Sequence, residues 1–577
     1  MTTLGIYGYC SRNPSHGGTH NSGTALLDEQ GNIIAAIEEE RLSRVKMEST
    51  YPFRCIDYTM QGHASDIHQI GVARFPRLEM MSQVLENAAF WARHTDQFKQ
   101  TLHFLNVMLS FPANAMAEKL SGKGAVPDHI ADLPRQNVRH HHAHAASAYY
   151  CCPWPDEDVL VITLDGSGDA HCGSVWIGRE GRMQHLLWIP SPHSVGNVYT
   201  AFTRHLGFLP TRHEGKVLGL AAYGDPGPFA ALLLSHVTLE KDYPKFDTDL
   251  AQLVYQRFSP DVAARLAGTL KREEVAAGLQ HFTEVVVLDF IRNWVAKTGI
   301  GKLAVAGGVF ANVKLNQRIM HLDEVENLYI QPNMGDGGLS LGAAKVAHSE
   351  HSPAARPVFM HTAYLGPDIS NAEAAQALEK AGLASEVFAT TDQMAAGVAD
   401  ILAAGKVVAR AAGRMEYGPR ALGNRTLFAS CSDPSINAWL NEKLKRTEFM
   451  PFAPIIMEEY AQDYFIGWKP EHVSARFMTI TYDATDFAKQ HIPAAIHVDG
   501  TARPQVLREE DNPEVYAILK AFHARTGIAA LINTSFNMHE EPIVCSAEDA
   551  VRAFQQGHLD ALICANHLAR ANSSDEV

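Results

Sequence analysis

Two histidines four residues apart in a helix-forming run can hold one metal ion, and RHHHAHAASAYY supplies such a pair. His140 and His144 stand at i and i+4, on one face of a helix, while His141 and His142 point elsewhere. A His-rich run can equally be solvated or cap a helix, so its neighbours decide. The strand VLVITLD follows closely and runs into DGSGDA, placing Asp165 at the carboxyl edge of a buried strand, where ligand sites of α/β sheets gather. Later, NMGDGGLSLGAA sets Asp336 between glycines at the mouth of another helix. Two nitrogen and two oxygen donors suit Fe(II), Mn(II) or Zn(II) better than a thiolate-loving ion.

A second kind of chemistry is suggested by glycine. In AVAGGVFANVKLN a strand runs into Gly307 and Gly308 and then a helix, which lets a nucleotide approach the backbone, although any strand-to-helix turn can look the same. With Asn312 and Gly335 of the following loops, these are the candidate nucleotide contacts of the first part of the chain.

The elements that must position these residues repeat. LGIYGY, NSGTALLD and IIAAIEEERLSR read as three strands, with EQGN as the turn between the last two. The rhythm returns in VLVITLD, CGSVWIG and MQHLLWIP, with REGR as the turn. Two copies imply two related halves facing a cleft, the architecture of actin-like and sugar-kinase-like ATPases. Residues about 78–120 are rich in Met, Phe and Leu at helical spacing and predict a helical insertion. A second helical tract is expected from about Asp247 to Lys297. HSEHSPAARP marks a domain boundary, giving a first domain of 1–350 and a second, mixed α/β domain of 358–577 in which helices such as NAEAAQALEKAG alternate with strands such as KVVARAAG and AALINTS.

Composition narrows the functional classes. A chain of 577 residues exceeds what one core usually supports, and 46% hydrophobic with 20% charged residues is ordinary for a globular protein. The formal charge of −15 argues against a broad nucleic-acid surface, though a local basic pocket can still bind a small anion. The eight cysteines are scattered without CxxC spacing, so neither a disulfide framework nor a thiolate zinc site is expected. There is no signal-peptide pattern, and no apolar run reaches the roughly 20 residues that span a bilayer, so a cytoplasmic protein is expected. A homodimer is the default for a soluble enzyme of this size.

Taken in order, HNSGTALL, EEERLSR, HHHAHAASA, LDGSGDA, EGKVLGLAAYG, AGGVFANVKLN, MGDGGLSLGAA, EYGPRALGNRTLFA, PFAP, HVDGTARPQ and INTSFN cover nearly the whole chain. In this order they resemble the O-carbamoyltransferases of antibiotic and nodulation-factor biosynthesis. The larger domain of that family is similar to the ATPase-fold enzyme of tRNA threonylcarbamoylation, and the smaller is YrdC-like. The resemblance therefore implies a duplicated actin/sugar-kinase-like domain with helical insertions, followed by a mixed α/β YrdC-like domain.

It also implies roles. His140, His144, Asp165 and Asp336 would bind the metal, Fe(II) first among the candidates, and His20 of THNSGTALL would deprotonate the acceptor hydroxyl, work for which a neutral imidazole is suited. A histidine that merely closes the turn is the alternative. Glu214, Lys216 and Tyr223 fall in a loop that lines the family's cleft. In the second domain Arg414, Arg420, Arg425, Lys445, Arg446 and Arg503 lie in Gly-, Pro- or Asn-punctuated segments. Of these, Arg420, Lys445, Arg446 and Arg503, with Asn533, would bind carbamoyl phosphate and ATP, the latter with Mg(II). Met450 stands before PFAP, where many family members carry arginine, and Arg446 is its candidate replacement. The implied reaction makes carbamoyl adenylate from carbamoyl phosphate and ATP and transfers the carbamoyl group to a hydroxylated small molecule. A tRNA-modifying enzyme and a non-catalytic actin-like ATP-binding regulator are the rivals. The acidity opposes the first, and the intact Arg420, Arg503 and Asn533 oppose the second.

Overall fold

A computed structural model of the chain describes residues 2–8, 20–63, 66–73, 130, 132–239, 242–254, 261–352, 355–444 and 451–571. The expected insertion at 78–120, and Lys445, Arg446 and Met450, lie outside them.

The strand-rich start folds as β1 (Thr2–Tyr7), β2 (Gly23–Leu27), β3 (Ile33–Glu38), β4 (Ile67–Ala73) and β5 (Arg135–Val138). They form one sheet in the order β3-β2-β1-β4-β5, in which β1 is antiparallel to β2 and parallel to β4. The second copy comprises β6 (Val159–Gly168), β7 (His171–Arg179) and β8 (Arg182–Pro190). A hairpin of β9 (Val237–Leu239) and β10 (Pro244–Phe246) precedes β11 (Lys302–Ala306) and β12 (Asn327–Ile330). Its sheet runs β12-β11-β6-β7-β8, again an antiparallel meander extended by two parallel strands. The two sheets are thus one topology used twice, a duplicated actin/sugar-kinase-like domain. The strands β1 and β11, each flanked by a strand on both sides, are almost wholly buried. The clearest part of the second helical tract is a single helix, Arg272–Thr298, closed by Gly299 in the left-handed conformation.

The chain divides into two compact units, residues 1–39 with 47–360, and residues 40–46 with 361–577. The boundary expected at 350–358 therefore shifts. Val358 N–H donates to the Tyr150 carbonyl at 2.9 Å and Met360 N–H to that of Cys151 at 3.1 Å, tying this stretch to the first unit. The stretch 40–46, expected in the first domain, belongs to the second unit.

The second unit is mixed α/β, as expected. Its strands are β13 (Ser385–Val387), β14 (Val408–Ala411), β15 (Arg425–Ser430), β16 (Ala453–Met457), β17 (Tyr482–Asp483), β18 (Thr501–Ala502), β19 (Gln505–Leu507), β20 (Ala530–Ser535), β21 (Ala561–Cys564) and β22 (His567–Arg570). Eight of them form the sheet β13-β22-β21-β14-β15-β20-β16-β19, and β17 pairs with β18. NAEAAQALEKAG becomes the helix Asn371–Lys380, started by a capping box between Ser370 and Glu373. Among the described residues no helix is long and apolar enough to cross a membrane.

Candidate functional site

Three elements of the first unit bring four donors together. The helix His140–Tyr149 presents His140 and His144 from one face, β6 carries Asp165, and Asp336 opens the turn before the helix Leu339–His351. The His140 and His144 Nε2 atoms lie 3.1 Å apart, and each approaches Asp165 Oδ2, at 3.2 and 3.1 Å. Both stand 3.6 Å from Asp336 Oδ1. His141, as expected, faces away, bonding Thr163 and the His171 carbonyl, and His142 stacks on Trp176.

This donor set fits a divalent cation. Two imidazole nitrogens and two carboxylate oxygens aim at one buried point, with all four ligand atoms within 4.8 Å of one another. Hydrogen bonding alone serves such a cluster poorly, because three Nε2 and Oδ2 atoms crowd each other while the buried His144 Nδ1 has no hydrogen-bond partner among the described residues. The electrostatics agree. Burial pulls the His144 imidazole down, but hydrogen bonds and charge from Asp165 and Asp336 outweigh it, so its pKa is pushed up to about 9. His140 is raised against burial in the same way, chiefly by the Asp336 charge. Burial pushes the Asp165 carboxyl up, yet the two histidines hold it well below the usual carboxylate range. A cation in the place of those protons satisfies the same carboxylates.

The surrounding residues fix the ligands. Asp165 Oδ1 accepts from the N–H groups of Gly166 at 2.7 Å and Gly308 at 3.2 Å, leaving Oδ2 toward the centre. The Tyr7 hydroxyl donates to Asp336 Oδ2 at 2.7 Å, and Asp169 Oδ2 accepts the His140 N–H at 2.6 Å, capping the ligand helix. Sequence reasoning missed Tyr7, Asp169 and the role of Gly308. The only available signals were the position of Tyr7 at the end of a buried strand and of Asp169 in the turn that follows Asp165.

His20 is half-buried, its Nδ1 2.7 Å from Asn21 Oδ1, and it is near enough for its charge to act on Asp336. Gly307, at φ +106°, lies flat against the Leu164 carbonyl, where a Cβ would sit 2.1 Å from the oxygen. A Cβ on Gly335 would meet only open space. The Asn312 side chain is engaged within the unit. Its Oδ1 caps the helix Val313–Met320 at Leu315 N–H, and its Nδ2 donates to Gln280 at 2.8 Å. Glu214 accepts from Thr211 N–H and the Thr200 hydroxyl, Lys216 is buried, and Tyr223 is exposed.

In the second unit the arginines separate into two groups. Arg425 is wholly buried and donates to the carbonyls of Ala412, Gly413, Asn424, Cys545 and Pro367. Arg414 donates to those of Leu365 and Gly366. Both hold the backbone of this unit. Arg420 and Arg503 are half-buried, Arg420 beside the exposed Pro419. Asn533 bonds to its own unit. Its Nδ2 donates to the Ala421 carbonyl and to Gln505 Oε1, and its Oδ1 accepts from Thr426, so both amide hydrogens are engaged within the unit. Gln505 Nε2 in turn donates to the Leu422 carbonyl at 2.8 Å. Asn533 and Gln505 thus tie the segment after Arg420 to the segment after Arg503.

The model of the carbamoyltransferase N-terminus matches residues 17–345, and that of the carbamoyltransferase C-terminus matches 399–571. The chain belongs to the carbamoyltransferase family. An uncharacterised protein of Synechocystis is 31% identical, with 95% of this chain and 94% of that protein covered. Nodulation protein NolNO of Sinorhizobium fredii is 30% identical over 96% of this chain and 79% of its own. Among solved structures, full-length HypF in its phosphate- and nucleotide-bound form shares 14% identity at a TM-score of 0.31, over 61% of this chain and 56% of that one, a likeness too slight to carry an argument.

In this carbamoyltransferase the four converging donors and His20 fall within the N-terminal match, while Arg420, Arg503 and Asn533 fall within the C-terminal match. Each match thus contains one of the two chemistries separated above, a candidate cation centre in the first and the half-buried Arg420 and Arg503 in the second.

Proposed function

We propose that the protein is an ATP-dependent O-carbamoyltransferase that forms carbamoyl adenylate and passes its carbamoyl group to a hydroxyl of a small-molecule natural product. The observation that carries this reading is the convergence of His140, His144, Asp165 and Asp336 inside the carbamoyltransferase N-terminal match.

In the second unit Arg420 and Arg503 hold the phosphate oxygens of carbamoyl phosphate and of Mg(II)-ATP by charge-assisted hydrogen bonds. Carbamoyl phosphate loses inorganic phosphate to water, and an oxygen of the resulting carbamate attacks the α-phosphorus of ATP. Pyrophosphate leaves and carbamoyl adenylate forms. In the first unit His20 takes the proton of the acceptor hydroxyl while its oxygen attacks the carbamoyl carbon, and AMP leaves with the pair of electrons of the broken C–O bond. His140, His144, Asp165 and Asp336 would hold a divalent cation, Fe(II) first among the candidates, which would supply Lewis-acid polarisation of the carbamoyl carbonyl. Gly335, with open space beside it, admits the adenylate backbone-close.

The test is release of pyrophosphate and AMP from ATP by metal-loaded protein, with and without carbamoyl phosphate, in wild type and Arg503→Ala. Carbamoyl-phosphate-dependent release that the substitution abolishes is the expected result. Release indifferent to carbamoyl phosphate, with ATP and metal demonstrably bound, would sink the reading.

A further inference from the structure

The stretch 40–46 leaves β3 and folds entirely with the second unit. Its side chains explain why. Arg41, 4% exposed, donates through one terminal nitrogen to the Gly418 carbonyl at 2.8 Å and pairs through the other with Glu40 at 3.3 Å. Leu42 packs against the cluster of Met415, Ala421, Ile543 and Cys545. Arg44 donates to the carbonyls of Ile543 at 2.7 Å and Pro542 at 2.8 Å and pairs with Asp549 at 3.2 Å. A buried arginine bonded to a backbone carbonyl is a costly arrangement to keep unless it holds that backbone in place.

What it holds is the loop of Arg420. Gly418 is buried with φ +117°, a conformation closed to other residues, so its carbonyl faces Arg41 only while the loop keeps this shape. Beyond the tip, Glu416 Oε1 accepts the N–H groups of Leu422 and Asn424, and Asn533 and Gln505 hold the carbonyls of Ala421 and Leu422. The exit side of the tip is therefore fixed from the second unit's own sheet. Its entry side is held at Tyr417, whose N–H donates to the Ala363 carbonyl at 2.7 Å, and at Gly418 by Arg41, distant in sequence, while Leu42 packs against the cluster that contains Met415 and Ala421.

We propose that Arg41, supported by Leu42, is a positioning residue for carbamoyl phosphate: it sets the direction of Arg420 by clamping the Gly418 carbonyl. This rests on the reading of Arg420 given above. Arg41 touches no substrate in this role. Losing the clamp leaves Arg420 present but poorly aimed, which weakens a bidentate contact more than it slows a bound complex.

The experiment uses full-length, metal-loaded protein and measures carbamoyl-phosphate-dependent pyrophosphate release in Arg41→Gln, Arg41→Lys, Leu42→Ala, Arg420→Ala and the Arg41→Gln/Arg420→Ala double variant. Arg41→Gln is expected to raise KM for carbamoyl phosphate about tenfold with a smaller change in kcat, the loss of one charge-assisted hydrogen bond. Arg41→Lys should recover part of it. In the double variant the Arg41 substitution should add nothing to the Arg420→Ala defect. Wild-type KM in Arg41→Gln, or a full additional defect in the double variant, overturns the proposal while leaving the function standing. Should Arg41→Gln fail to fold, wild-type KM in both Arg41→Lys and Leu42→Ala overturns it equally. If Arg420→Ala itself keeps its dependence on carbamoyl phosphate, the reading of the loop fails and the clamp with it.

Discussion

His144 shows how a single side chain ties protonation to metal binding. In the metal-free protein burial lowers its pKa, but Asp165 and Asp336 more than compensate and push it up to about 9, against an ordinary 6.5. A raised pKa means that this imidazole stabilises the metal-free fold fully below pH 6.5 and ceases to do so as the pH climbs through about 9. A cation requires the neutral imidazole, so at any pH below about 9 it competes with a proton. Binding of Mn(II) to metal-free protein at pH 7.5 is therefore expected to release protons, and its apparent affinity to rise with pH by up to about tenfold per unit for each proton displaced, levelling above pH 9. Calorimetric titration in buffers of different ionisation enthalpy measures the protons directly. Binding with no proton release would place the cation away from His144.

At the scale of elements, the centre depends on how closely two helices approach. His140 and His144 ride on the helix His140–Tyr149, and Asp336 immediately precedes the helix Leu339–His351, which packs against it. Gly342 permits that contact, since a Cβ there would sit 1.8 Å from the Ala143 carbonyl oxygen. Gly342→Ala must push the backbones apart. It is expected to cost about 1–3 kcal/mol of stability and to lower bound metal, because the histidines and Asp336 separate together. Thermal unfolding and metal analysis of the purified variant check both, and unchanged metal content would show that the helix spacing does not set the centre. Elements of this kind were legible in the sequence. The repeated strand rhythm predicts the twice-used sheet, and the i, i+4 spacing and strand-end position identify the four residues that meet. The roles of Asn312, Asn533, Arg414 and Arg425 were not legible, because an amide or guanidinium shows its chemistry only through partners far away in sequence, such as Gln280 for Asn312 or the Pro367 carbonyl for Arg425. The placement of 40–46 escaped for the same reason, its apolar and basic residues finding their partners near residues 415–421 and 542–549.

For the whole molecule, the two matched parts of the family divide the proposed reaction, and that division can be tested by breaking one part alone. Asn at position 336 keeps the shape of Asp but removes a charge from the set of two imidazoles and two carboxylates, so a cation loses the attraction that offsets its dehydration. The arginine loop of the second unit contains none of those donors. Asp336→Asn, assayed with Mg(II) and ATP in excess, is expected to retain carbamoyl-phosphate-dependent pyrophosphate release while its transfer to a hydroxylated acceptor drops by at least about a hundredfold, as for loss of a metal-ion catalyst. The adenylate is then hydrolysed by water faster than it is transferred, so AMP should accumulate with little carbamoylated product. Loss of pyrophosphate release together with transfer would mean that the cation centre also serves adenylate formation, and that the two units do not divide the chemistry. Retention of transfer would mean that Asp336 is not needed for the step assigned to the first unit.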